Sequence, residues 1–159
     1  MIDRFEQFFS SISSIYKIIQ KIEREEMARY GLKGPHAQCL VAMDRHPNGV
    51  IIAQLCELCD KDKAAVSRDI SELEAKGMVE RCGGDKLYRA PIRLTEQGRI
   101  IARQVREMIQ AAVEMAGENL ADEDRRVFYR TLELIAGNLR RISREGALYS
   151  AVKERIEEK

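Results

Sequence analysis

Between Ile52 and Leu94 the residue pattern passes from helical spacing to a turn, back to helical spacing and then to a hairpin. Few folds accommodate that succession in so short a stretch. Val50-Ile51-Ile52 leads into Ala53, Leu55, Cys56, Leu58 and Cys59, a short helix. Asp60-Lys61-Asp62 supplies a turn and an N-cap, and Lys63 to Lys76 runs without Pro or Gly until Gly77 closes it. Met78 to Cys82 then reads as a short strand, Gly83-Gly84-Asp85 as a turn, and Tyr88 to Leu94 as the returning segment. Pro91 has no N–H to donate, which restricts the return to an edge or bulged position.

The second helix of this unit carries the chemistry. At about 100° per residue, Val66, Ile70 and Leu73 share one face, while Ala64, Arg68, Ser71 and Ala75 point the opposite way with Ser67 on the flank. A stripe that is small, hydroxylic and centred on one arginine suits the major groove of DNA. Small residues let the backbone approach, serines bond phosphate or base edges, and arginine bonds guanine bidentately. Lys61 and Lys63 stand at the helix start, where side-chain charge and the helix dipole together favour phosphate. The following hairpin bears Lys86, Tyr88, Arg89 and Arg93, a basic wing beside the helix. The acids Glu72 and Glu74 lie toward the other end of the helix.

On either side of this unit the pattern is helical. From Phe5 to Met27 apolar residues recur as Phe5, Phe9, Ile12, Tyr16 and Ile19, widened by Phe8, Ile15 and Ile22. Such a stripe needs a covering surface, either a partner subunit or the last helix. Gly31 reads as a C′ glycine and Pro35 as the restart of a helix carrying Cys39, Leu40 and Met43. Thr95 caps a long helix through Ile101, Val105, Met108, Ile109 and Ala112 that fades near Gly117. A final helix from about Asp122 carries Phe128, Leu132, Ile135, Leu139 and Ile142, a narrow seam of the kind that contacts another helix. The expected class is mainly α with a small β-hairpin wing.

Composition narrows the function. The chain has 159 residues, a length that fits one domain or one core with a helical extension. Lys+Arg 27 against Asp+Glu 26 leaves a formal net charge of +1, so global charge names no partner. No apolar run approaches the ~20 residues needed to span a bilayer, and the first residues carry no basic region leading to an apolar one, so a cytoplasmic protein is expected. The four cysteines, Cys39, Cys56, Cys59 and Cys82, are then reduced thiols. Cys56-x-x-Cys59 puts two sulfurs near one helical face, where they would pack as small apolar residues or, alternatively, bind metal or oxidise. No second Cys-x-x-Cys or His-x-x-x-His completes a tetrahedral zinc site. His36 and His46 flank the second helix and read as surface or capping residues. With no phosphate-binding glycine loop, nucleophile elbow or metalloprotease helix, neither an enzyme nor a cofactor is expected.

At these residues the sequence resembles a known family. The helix-turn-helix, then Leu73-Glu74-Ala75-Lys76-Gly77-Met78-Val79-Glu80-Arg81, then the hairpin ending Ile92-Arg93-Leu94-Thr95-Glu96-Gln97-Gly98, is similar to the MarR family of bacterial transcriptional regulators. The resemblance implies a winged helix-turn-helix over residues 32–95, a helical dimerisation region formed by 1–31 and 96–145, and a charged tail over 146–159. It also implies a homodimer, expected to repress, that reads a pseudo-palindromic operator in double-stranded DNA. A small, often aromatic, effector in the cleft between dimerisation helices and winged domain is part of the same implication. Many members carry Asp-x-Arg eight residues before the Leu-Thr pair, where this chain has Lys86 and Tyr88. Arg89 is then the wing-tip candidate by its chemistry. The expected DNA contacts are Lys61, Lys63, Ala64, Ser67, Arg68, Ser71, Lys86 and Arg89. Two alternatives stay open: a thiol- or metal-responsive DNA-binding sensor using Cys56 and Cys59, and a winged-helix protein–protein module.

Overall fold

The computed structural model describes residues 2–83 and 90–145. In chain order these form α1 (Ile2–Ala28), α2 (His36–Asp44), α3 (Ile52–Cys59), α4 (Lys63–Ala75), β1 (Val79–Arg81), β2 (Ile92–Leu94), α5 (Glu96–Ala116) and α6 (Asp122–Glu145). The helix-turn-helix, hairpin strands and flanking helices expected from the sequence are all present. The wing residues Asp85, Lys86, Tyr88 and Arg89 and the tail 146–159 lie outside the described residues. By its contacts the chain divides into two units, Met1–Ala111 and Ala112–Lys159.

The first unit holds the core. Met27 of α1, Leu40 and Met43 of α2, Leu55 of α3, and Val66, Ile70 and Leu73 of α4 are all fully or almost fully buried. Val79, Ile92, Ala102 and Val105 close the same cluster from β1, β2 and α5. Each such aliphatic side chain contributes about 1.5–3 kcal/mol relative to exposure. The α4 stripe therefore fixes the rotation of that helix about its axis, because any other rotation would bring Arg68 or Ser71 into an apolar site.

Local chemistry sets the helix ends. Gly31 adopts φ +66°, and Leu32 N–H reaches back to the Met27 carbonyl at 3.0 Å, a glycine-terminated α1. Pro35 stands one residue ahead of α2 with a helical backbone. Asp60 ends α3 in the left-handed region at φ 50°, and Asp62 caps α4 by accepting Ala65 N–H at 2.9 Å.

The strands are shorter than the sequence suggests, and the sheet has two of them, so β2 is an edge strand. It pairs antiparallel with β1, Val79 opposite Leu94 and Arg81 opposite Ile92. On its other side Ile92 exchanges two hydrogen bonds with Val50, at 2.9 and 2.8 Å. The edge position expected from Pro91 agrees with the two-stranded sheet, and the strand begins one residue later, at Ile92, whose N–H is intact.

In the second unit α6 starts with Asp122, Glu123 and Asp124, acids that suit the positive end of a helix. Arg125 Nη2 donates to the Gly117 carbonyl at 3.0 Å and closes the loop before α6. Along that helix Phe128, Leu132 and Leu139 are exposed in the single chain. In the first unit Phe8, Ile12, Ile15, Ile19 and Ile22 of α1 are exposed as well. Among the described residues no helix is long and apolar enough to cross a membrane.

Candidate nucleic-acid interface

The α4 helix presents outward the stripe read from its sequence. Ala64, Arg68, Ser71 and Ala75 are exposed and Ser67 is half-buried, while Val66, Ile70 and Leu73 have no accessible surface. Arg68 makes no hydrogen bond or ion pair among the described residues, which leaves its guanidinium fork for another molecule. Ser71 Oγ donates to the Ser67 carbonyl at 2.9 Å, so its hydrogen is committed and its lone pairs remain. Lys63 is exposed at the first turn. Lys86 and Arg89 fall outside the described residues.

Lys61 is placed differently from Lys63. Its Nζ donates to the Pro35 carbonyl at 2.9 Å and to Asp69 Oδ2 at 3.1 Å, with the side chain 19% exposed. A lysine ammonium has three donors, so one is left. Lys61 thus ties the turn before α4 both to the start of α2 and to the inner flank of α4 itself. Glu23 of α1 faces the same ammonium: burial raises its carboxyl above the usual range and Lys61 partly offsets that. The Asp62 carboxylate already occupies one of the free amides at the start of α4, so attraction of phosphate to this end rests on the lysines.

The acids on α4 are neutralised by neighbours. Glu72 accepts from Lys33 Nζ at 2.6 Å and from His36 Nε2 at 3.1 Å, and its carboxyl is held below its usual range chiefly by the Lys33 hydrogen bond. Glu74 pairs with Arg81 of β1 at 3.3 Å. Across the strands Glu80 pairs with Arg93 at 2.7 Å, so Arg93 is engaged within the hairpin.

His36 corrects the sequence reading. It is fully buried and is neither a surface nor a capping residue. Its Nδ1 accepts Lys33 N–H at 3.2 Å, which places the ring proton on Nε2, where it donates to Glu72. Burial lowers its pKa despite Asp69 and Glu72, so the ring is neutral. The reading of His46 stands: it is exposed, and its ring meets the Ala42 carbonyl at 2.8 Å near the end of α2.

Cys39, in α2, is buried with its sulfur 4.0 Å from Asp69 Oδ2, while Cys56, Cys59 and Cys82 are partly exposed. Among the described residues no three or more His, Cys, Asp or Glu side chains are placed to hold a metal ion.

A helix packed by one face, offering a small polar stripe centred on an exposed arginine, and followed by a two-stranded antiparallel hairpin, defines a winged helix-turn-helix. The model of the MarR family matches residues 30–86. That match spans α2, α3, α4 and β1. No curated protein matches the sequence. Solved structures share the fold. The transcriptional regulator SlyA superposes with a TM-score of 0.76 at 21% identity, over 83% of this chain and 93% of that one. A MarR transcriptional regulator from Methanosarcina mazei Go1 gives 0.74 at 23% identity, over 86% and 92%. A MarR family regulator from Listeria monocytogenes, solved in complex with a 26mer DNA, gives 0.74 at 17% identity, over 82% and 87%.

Proposed function

We propose that the protein is a sequence-specific DNA-binding transcriptional regulator, a repressor, that reads a pseudo-palindromic operator as a homodimer in the cytoplasm and catalyses nothing. The observation that carries the reading is the outward face of α4, where Arg68 lies beside Ala64, Ser71 and Ala75 and is without a hydrogen-bond or ion-pair partner among the described residues. On this reading Arg68 contacts a base edge, Ser67 and Ser71 a base or phosphate, and Ala64 a thymine methyl. Lys63 and the remaining donor of Lys61 take phosphates, and Lys86 and Arg89 the flanking groove or backbone. The ion pairs of Glu72 and Glu74 support it, since they remove the charge that would repel the duplex.

Residues 32–95 would form the DNA-binding domain and 1–31 with 96–145 the dimerisation region. The exposed apolar residues of α1 and of α6 support a second copy as their cover. Two-fold symmetry would set the recognition helices about one helical turn apart, roughly 34 Å. A small aromatic effector would release the protein by favouring another spacing, because a ligand with equal affinity for both spacings shifts nothing.

The test is fluorescence anisotropy on DNA from upstream of the protein's own gene, against scrambled DNA, across a salt series. Preferential binding whose log affinity falls steeply with log salt is the expected result. Equal, weak, salt-insensitive binding to both would overturn the reading in favour of a protein–protein module.

A further inference from the structure

Residues three and four places apart on a helix are surface neighbours, with Cβ atoms about 5–6 Å apart. At those places α4 gives Arg68 the residues Ala64, Ala65, Ser71 and Glu72, so Glu72 is the carboxylate of the helix placed to form a local ion pair with it. The pair does not form: Arg68 is without a hydrogen-bond or ion-pair partner among the described residues. Both Glu72 oxygens are taken instead by the segment that leads into α2. Oε1 accepts from Lys33 Nζ at 2.6 Å and Oε2 from His36 Nε2 at 3.1 Å.

We propose that Lys33 is a positioning residue for DNA recognition, holding the Glu72 carboxylate away from Arg68 so that the guanidinium stays open to a base edge. The ammonium makes the shorter of the two bonds and brings a full charge, whereas the His36 ring is neutral. Lys33 is also what chiefly holds the Glu72 carboxyl below its usual range, so the acid is ionised at neutral pH and able to compete for an arginine. The segment carrying the ammonium is itself seated on its neighbours. Gly34 is buried, and a Cβ on it would stand 3.3 Å from the backbone nitrogen of Arg24 in α1. Lys61 Nζ joins the Pro35 carbonyl to Asp69 of α4 at 2.9 and 3.1 Å. The clasp on Glu72 therefore reaches α4 from a fixed place.

Without the ammonium, His36 alone holds one Glu72 oxygen, and the other is left to turn toward Arg68 four residues earlier. Arg68 must then break that pair before it meets a base. An exposed ion pair is modest, so operator affinity should fall about twofold to fivefold, and affinity for scrambled DNA should not change. A direct phosphate contact by Lys33, whose side chain is 65% exposed, has another signature: both DNAs lose affinity alike and the salt slope falls by about 1. The inference rests on the reading of Arg68 as the base-contacting residue.

The experiment compares the full-length wild type with Lys33→Met, Glu72→Gln and the double variant. Glutamine keeps an oxygen for His36 Nε2 and carries no charge for Arg68. Anisotropy on DNA from upstream of the protein's own gene and on scrambled DNA should show the Lys33→Met loss on the natural sequence alone, with an unchanged salt slope. No loss should follow when Lys33→Met is made in the Glu72→Gln background, which also shows that the change acts through Glu72 and not through stability. A second readout needs no DNA. The Arg68 side-chain Nε–H signal in heteronuclear NMR, assigned by its absence in Arg68→Ala, should move on Lys33→Met and stay in place when the same change is made in the Glu72→Gln background. Equal losses in both backgrounds, a loss shared by both DNAs, or an unmoved signal would contradict the proposal. A signal that moves as expected in a protein with no preference for the natural sequence would overturn the DNA reading, and with it the role of Lys33 in recognition.

Discussion

Gly98 lies so close to Met78 that a Cβ on it would stand 1.9 Å from the Met78 carbonyl oxygen. The approach is built by Thr95, whose hydroxyl donates to the Gly77 carbonyl at 2.7 Å and accepts Gly98 N–H at 3.0 Å. Thr95 N–H bonds the Met78 carbonyl at 3.0 Å. The two sequence motifs that close α4 and open α5 are thus one joint. Backbone meets backbone there, so no flexible side chain can yield to a new methyl. Gly98→Ala should destabilise by at least the ~1–3 kcal/mol typical of overpacking, lowering Tm by ~2–4 °C per kcal/mol. Thermal unfolding followed by circular dichroism reads it, and an unchanged Tm would contradict the contact.

Features governed by local rules were legible in the chain. Helical period alone assigned Val66, Ile70 and Leu73 to the core and Arg68 and Ser71 to solvent, and Asp62 and Thr95 declared themselves as caps. What stayed hidden depends on residues brought together from afar. His36 looks like an exposed polar residue until Glu72 arrives from α4. The bridge of Val50 to Ile92 gives too short an extended run to show any alternation. A buried histidine followed at a distance by an acid is a signal only once the helices are packed. The motif Leu-Thr-Glu-x-Gly marked Gly98 as special without revealing that Met78 is the reason.

The His36 ring makes stability depend on pH. Its folded pKa is lowered from 6.5 by burial, outweighing Asp69 and Glu72, while Lys33 adds to the lowering. The unfolded chain therefore binds the proton more readily, and the stabilisation from the neutral ring is complete above about pH 6.5 and lost as pH falls below it. Urea midpoints between pH 7 and pH 5 should fall for the wild type and fall less for His36→Gln, so that the gap between them narrows. A gap that widens on acidification would mean that the protonated ring is the stabilising form.

Arg68 is the cleanest test of readout, since its replacement removes no hydrogen bond or ion pair among the described residues. Arg68→Ala should weaken operator binding by about 1–3 kcal/mol, roughly 5- to 150-fold, and relax preference at one base position. Lys63→Ala should instead weaken all DNA alike and reduce the salt slope by about 1. Competition assays against single-base operator variants separate the two. An Arg68→Ala protein with unaltered affinity and preference would remove that residue from base recognition.

The apolar side chains of α1 give the last prediction. Ile12 and Ile19 are 43% and 48% exposed in the single chain, so a carboxylate at either position costs the isolated protomer little. In a homodimer that covers them, the same carboxylates would be buried without a partner, at a cost of several kcal/mol. Ile12→Asp/Ile19→Asp should therefore shift the protein from dimer to monomer in light scattering while the helical signal in circular dichroism persists. Operator affinity should fall with it, because a monomer reads one half-site and loses the second set of phosphate contacts. A wild-type chain that is monomeric at working concentration, or a double variant that stays dimeric, would place the interface elsewhere or remove it. Weakened DNA binding with an intact dimer would locate the effect of α1 in the winged domain it precedes.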